Sequence, residues 1–141
     1  MILVDTNVVS ETMRLKPDPA VIAWLDAQAV ESLYLSAISM AELLLGVAVL
    51  PEGRRKSELG SSLLAQAAAL FGDRVLPFDL PAAQAYATLV SRTRAAGYTM
   101  GIADGQIAAI ATIAGLTVAT RDKSPFEAAG LPIINPWTPR K

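Results

Sequence analysis

Met1-Ile-Leu-Val-Asp-Thr-Asn7 decides how the chain is read. Ile2, Leu3 and Val4 make a short, continuous apolar run closed by polar residues. That pattern predicts a strand buried on both faces, as in parallel sheets. Asp5 then falls at the carboxyl end of the strand, where open α/β sheets bind their ligands. A carboxylate beside a dry strand is costly unless it is hydrogen-bonded, paired with a cation or bound to a metal. Which other residues converge on Asp5 then sets the chemistry.

The 141 residues suit one domain, 1–141, and 52% apolar content is enough to fill a core. A formal charge of −1 gives no global basic field, so nucleic acid would have to be held by a local patch. There is no cysteine and no histidine, which excludes disulfides, thiolate chemistry, Cys/His zinc sites and histidine triads. Acid–base or metal work falls mainly to carboxylates, helped by hydroxyls, lysine and tyrosine. An all-oxygen donor set favours a hard cation, magnesium or manganese. The first strand begins at Ile2 with no basic leader before it, so no secretory signal is read and a cytoplasmic protein is expected. Leu33–Leu50 is the longest apolar run, but Glu42 interrupts it, and it reads as a buried helix rather than a membrane span.

Strands are predicted at Leu33–Leu35, Val75–Leu76, Leu116–Thr120 and Ile133–Ile134, with helices between them. Asp18-Pro19 and Asp79-Leu80-Pro81 carry helix-start signals, and Gly97 and Gly115 carry stops. Ser39-Met-Ala-Glu42 has capping-box spacing and reads as the start of a helix running to about Leu50. Strands alternating with helices imply a parallel sheet covered on both faces.

Four acids then fall at one rim of that sheet. Asp5 and Asp122 follow strands; Glu42 and Asp104 open apolar helices. Each has a plain structural reading: Asp5 as an N-cap, Glu42 as a capping-box partner, Asp104 as a first-turn acid, Asp122 as a loop acid. Together the four plain readings are improbable. Carboxylates gathered so closely cannot all stay ionised without a cation among them, so a divalent metal site is the simplest resolution.

On these residues the chain resembles the PIN-domain ribonucleases and, within them, the VapC-type toxins of bacterial toxin–antitoxin pairs, in the trafficking-protein-B-like branch. The match runs through Met1–Asn7 with Val8-Val-Ser-Glu11, Ser39–Leu43 with Gly46, Asp104-Gly-Gln-Ile-Ala-Ala109, Ala119–Asp122, Phe126-Glu127, Gly130-Leu-Pro132 and Asn135-Pro136-Trp137. There is one departure. That branch carries an asparagine where Asp122 stands, and an acid at the position of Pro125, so the fourth acidic site rests on Asp122 alone.

The resemblance implies a three-layer α/β/α sandwich with a five-stranded parallel sheet. It implies metal-dependent hydrolysis of RNA, with Asp5 and Asp104 as the main ligands of magnesium or manganese. Asp122 would help hold that ion or a second one, and Glu42 would position or deprotonate the attacking water. Thr6, Asn7 and Thr120 would support the carboxylates or the phosphate. Arg14, Lys16, Arg54–Lys56, Arg121 and Lys123 are candidates for gripping RNA. The partners implied are a cognate antitoxin, laid in a groove served by Leu43, Leu44, Val47, Leu50 and the Leu63–Phe71 stretch, and a second copy of the chain in a homodimer.

Two other readings stay open. A phosphatase or phosphoacceptor domain needs a lysine set near the acids, and Lys123 alone qualifies; its dehalogenase-like form also needs an acid where Asn7 stands. A catalytically silent binding module of the same fold should have lost some of the four acids, and all four are present.

Overall fold

A computed structural model describes residues 1–137; residues 138–141, the end of the single domain expected over 1–141, lie outside the described residues. Five strands form one parallel sheet: β1 (Ile2–Val4), β2 (Leu33–Ser36), β3 (Val75–Leu76), β4 (Thr117–Ala119) and β5 (Ile133–Ile134), in the order β3-β2-β1-β4-β5. The order reverses beside β1. The chain runs outward through β2 and β3, then returns to the other side of β1 for β4. Ligands of open parallel sheets bind at such a reversal.

The side-chain period of two divides each strand between two cores. Ile2, Val4, Leu33, Leu35 and Ala119 join one buried cluster with α1 (Thr6–Thr12), α2 (Pro19–Asp26), α3 (Ala37–Ala48) and α4 (Arg54–Leu70). Leu3 and Val118 join the other with α5 (Leu80–Ala95), α6 (Ile102–Ala114) and α7 (Ser124–Ala128). The arrangement is the three-layer α/β/α sandwich. The expected caps form: the Asp18 carboxylate accepts from the Ala20 N–H, that of Asp79 from the Ala82 N–H, and Gly115 closes α6 at φ 68°.

Two expectations are corrected. Helix α3 begins before the Ser39 start, at Ala37, because the Ser36 hydroxyl accepts from the Ser39 N–H and caps it. Glu42 therefore lies in the second turn and is no capping-box partner. The Leu33–Leu50 run is not a buried helix either. The strand expected at Leu33–Leu35 forms as β2, and in the remainder Leu45 of α3 and Val49 at its C-cap are 63% and 71% exposed. Among the described residues no helix is long and apolar enough to cross a membrane.

Helices α5 and α6 approach closely at Gly105, where an added Cβ would stand 2.9 Å from Tyr86 Cε2 and 3.1 Å from Val90 Cγ2. Gly60 in α4 has only the Val47 Cγ1 at 3.6 Å, an ordinary contact. The two glycines should respond oppositely to alanine, by thermal or urea unfolding. Gly60→Ala is expected to stabilise by about 0.5–1 kcal/mol through helix propensity. Gly105→Ala is expected to destabilise by about 1–3 kcal/mol by overpacking.

Candidate active site

Asp5 is bound into the sheet beyond the last residue of β1, its N–H donating to the Ala119 carbonyl at 2.9 Å. The residue is only 5% exposed. One carboxylate oxygen accepts from the Thr6 N–H at 2.8 Å, so Asp5 is also the N-cap of α1. The other accepts from the Thr120 hydroxyl at 2.8 Å. Thr120 is itself locked to the sheet by its N–H to the Ile134 carbonyl, 2.9 Å.

The Thr120 hydroxyl is fully used. It donates to Asp5 and accepts from Asn7 Nδ2 at 3.3 Å and from the Asp122 N–H at 3.1 Å. One oxygen atom thus ties together three residues of the site from β1, α1 and the turn after β4. Asn7 adds a second tie across the same gap, its Oδ1 accepting from the Arg121 N–H at 3.4 Å.

Glu42 reaches the site from α3. The Thr6 hydroxyl lies 2.7 Å from Glu42 Oε1 and 2.9 Å from Ser39 Oγ. A hydroxyl has one hydrogen, and the carboxylate is the stronger acceptor. Thr6 therefore donates to Glu42, which leaves the Ser39 hydroxyl free to donate to Thr6. Spacing alone marks the buried Ser39 as a cap; its side chain instead joins α1 to α3. Asp104 stands half-buried in the first turn of α6, and Asp122 is exposed beyond β4.

The acids feel one another. Burial pushes Asp5 up from 3.8 to about 6, against the pull of its Thr120 and Thr6 hydrogen bonds, and the charges of Asp104 and Glu42 add to the rise. Asp104 is also raised, first by burial and then by Asp122 and Glu42. Among the described residues no lysine or arginine forms an ion pair with any of the four. The donor set and the uncompensated charge suit a hard divalent cation. The carboxylates nevertheless stand apart: among the described residues no three of them form a ready-made metal cage. Glu42 and Asp122 are both exposed at the edge of the site.

The basic candidates divide. Arg14, Lys16 and Arg121 line one cavity beside the rim, together with Trp137. Lys123 is exposed at the start of α7. Arg54 and Lys56 pair with Glu58 and Glu52 at the start of α4, while Arg55 lines a groove between α1, α3 and α4. Leu43, Val47 and Leu50 also line that groove, but Leu44 does not. Leu63, Ala67 and Phe71 are core. Spacing assigns no role to Glu11, which is 6% exposed, accepts from the Asp18 N–H at 2.9 Å and holds Arg14 at 3.4 Å.

The PIN domain family model matches residues 2–131. The chain belongs to the PIN-domain family. This PIN domain is 52% identical over 139 residues to the VapC ribonuclease Y4jK of Sinorhizobium fredii, covering 99% of both chains. It is 49% identical over 137 residues to Toxin FitB of Neisseria gonorrhoeae, covering 97% of this chain and 99% of that one. Among solved structures it superimposes on the FitAcB crystal structure from Neisseria gonorrhoeae with a TM-score of 0.93 at 49% identity, covering 97% of this chain and 99% of that one. FitAB bound to an IR36 DNA fragment gives a TM-score of 0.94 at 45% identity, covering 100% and 99%. The resemblance read from the four acidic motifs is met by these relatives.

The raised Asp5 makes stability depend on pH. A carboxyl lifted from 3.8 to about 6 on folding binds more protons folded than unfolded between those values, so stability falls as pH rises through that window. The penalty is absent below the lower value, complete above the upper, and on the order of 3 kcal/mol. Asp5→Asn is therefore expected to raise the melting temperature by several degrees at pH 8 in chelator, and by much less at pH 4. Thermal unfolding at the two pH values checks this.

Proposed function

We propose that this PIN domain is the toxin of a toxin–antitoxin pair and acts as a magnesium- or manganese-dependent endoribonuclease in the cytoplasm. One observation carries the reading: four carboxylates at the sheet reversal, Asp5 driven up to about 6 by burial and by its acidic neighbours, with no basic side chain paired to them among the described residues. The VapC ribonuclease and FitB toxin relatives support it.

In this reading Asp5 and Asp104 would hold the cation, and Asp122 and Glu42 would stand beside it. When bound, the cation would acidify water and neutralise charge developing on the phosphate, so no histidine is needed. The chain's own residues set the geometry. Thr120 and the Thr6 N–H hold the Asp5 carboxylate in one orientation, as hydrogen bonds to ligating carboxylates do. Thr6 orients Glu42, which in this reading would take a proton from the attacking water.

The same reading assigns the groove between α1, α3 and α4 to the antitoxin. Met13, Leu43, Val47, Leu50 and Leu59 give it apolar walls, and Glu42 stands at its acid end. The solved FitAcB and FitAB assemblies, whose toxin chains superimpose on this one, support a protein partner. The exposed Leu45 and Val49 at the end of α3 support a homodimer. Against a phosphatase-like reading, Lys123 pairs with none of the four acids among the described residues.

Adding Mg²⁺ or Mn²⁺ to the purified chain is expected to raise its melting temperature and to switch on cleavage of RNA, mapped by sequencing the ends in total cellular RNA. Asp5→Asn should abolish both responses while keeping the fold. Thr120→Val should lower cleavage by about 10–100-fold by loosening the Asp5 carboxylate. Cleavage by Asp5→Asn at the parent's rate would sink the assignment. In bacteria, expression of the chain alone is expected to arrest growth, and Asp104→Asn to relieve the arrest, scored by colony counts.

A further inference from the structure

Beside the acid rim lies a separate hollow of about 520 Å³, lined by Glu11, Arg14, Lys16, Asp18, Arg121 and Trp137 among others. Its volume is in the range of pockets that hold small organic molecules. It adjoins the rim through the backbone. Arg121 stands between Thr120, which holds Asp5, and Asp122, and its N–H is bonded to Asn7.

The chemistry of the walls is specific. Arg121 is exposed and sits over the Trp137 ring, its guanidinium carbon 5.2 Å from the centroid. Trp137 also packs against the core cluster of β1 and α1. A flat cation backed by an indole therefore faces the hollow. Arg121 and Lys16 form no ion pair among the described residues. The two acids in the lining already have partners. Glu11 is buried, holds Arg14 and accepts from the Asp18 N–H; the Asp18 carboxylate caps α2. Glu11 thereby fixes both Arg14 and the turn that carries Lys16.

We propose that this hollow is a subsite for one unpaired nucleotide of an RNA strand, next to the nucleotide whose phosphate is cleaved. The base stacks on the Arg121–Trp137 pair, and Lys16 and Arg14 take its flanking phosphate. Stacking on arginine planes and aromatic rings accepts any base, while lysine and arginine contacts to phosphate are salt-sensitive and carry no sequence information. A base inside a duplex is already paired and stacked, so the subsite selects single-stranded segments. The inference rests on the ribonuclease reading, but it assigns residues and a strand preference that reading leaves open.

The chain has two tryptophans, and the other, Trp24, is buried in α2, so Trp24→Phe leaves Trp137 as the sole reporter. In the full chain carrying Trp24→Phe and Asp5→Asn, hexaadenylate is titrated while Trp137 emission and the anisotropy of labelled RNA are followed. The expected result is saturable quenching of Trp137 that tracks binding and weakens with salt. Arg121→Ala should weaken binding about 10-fold, the size of one lost stacking contact. Trp137→Phe should retain most of the affinity, and Trp137→Ala should lose it at an unchanged far-ultraviolet spectrum. A 12-base-pair RNA duplex should leave the emission unmoved. RNA binding with a silent Trp137, equal quenching by duplex, no binding of hexaadenylate, or a response only to a glutamate-rich peptide would each overturn the subsite. RNA cleavage by the parent chain in Mn²⁺, measured alongside, separates the two readings. Cleavage with a silent Trp137 overturns the subsite alone, whereas absence of cleavage overturns the ribonuclease itself.

Discussion

The Thr120 hydroxyl, donating to Asp5 across the reversal between β1 and β4, is the contact on which the rest of the site depends. The two residues are 115 positions apart in the chain, yet each is anchored to the sheet by its own backbone N–H. Their separation is thus set by strand pairing and not by loop conformation. Asn7 and Asp122 are positioned through the same hydroxyl. A separate pair of hydroxyls, Thr6 and Ser39, brings Glu42 of α3 to the rim. The acids come from four places in the fold, and hydroxyl groups rather than basic side chains hold the carboxylates of Asp5 and Glu42 and the backbone of Asp122. That choice leaves their negative charge uncompensated.

The consequence is a local conflict built into an otherwise consistent fold. Both cores are apolar, and the helices are capped where carboxylates and glycines indicate. At the rim, burial and like charge raise Asp5 and Asp104 together. Strain of this kind, tolerated at one place and compensated elsewhere, is characteristic of functional sites. Under the proposed function a cation relieves it, so that the feature destabilising the free chain is the feature that gives the ion its affinity.

Much of this is legible in the sequence, because strands and caps are local signals. Ile2–Val4 is a continuous apolar run, Leu116–Thr120 is a short segment rich in β-branched residues, and Asp18-Pro19 and Asp79-Leu80-Pro81 announce helix starts. The positions of Asp5, Asp104 and Asp122 follow from strand ends and a helix start, whereas Glu42 stands a turn further into α3 than its spacing indicates. What escapes is tertiary or too short. Helix α7 has five residues, too few for a periodic signal, and no side-chain cap. The start of α3 is ambiguous because Ser36 and Ser39 are both plausible caps, and only the fold turns Ser39 toward Thr6. The placement of Glu11, and the stacking of Arg121 on Trp137, join residues that no spacing rule connects to the rim.

Under the proposed function Asp5 and its neighbours form a hard-cation site in which binding replaces protons. Calorimetric titration of Mn²⁺ into the chain at pH 6 and pH 8, in buffers of different ionisation enthalpy, tests it directly. With Asp5 raised to about 6, binding is expected at both pH values, with net proton release at pH 6 that vanishes at pH 8. Absence of binding, or binding whose proton release is the same at both pH values, would contradict it.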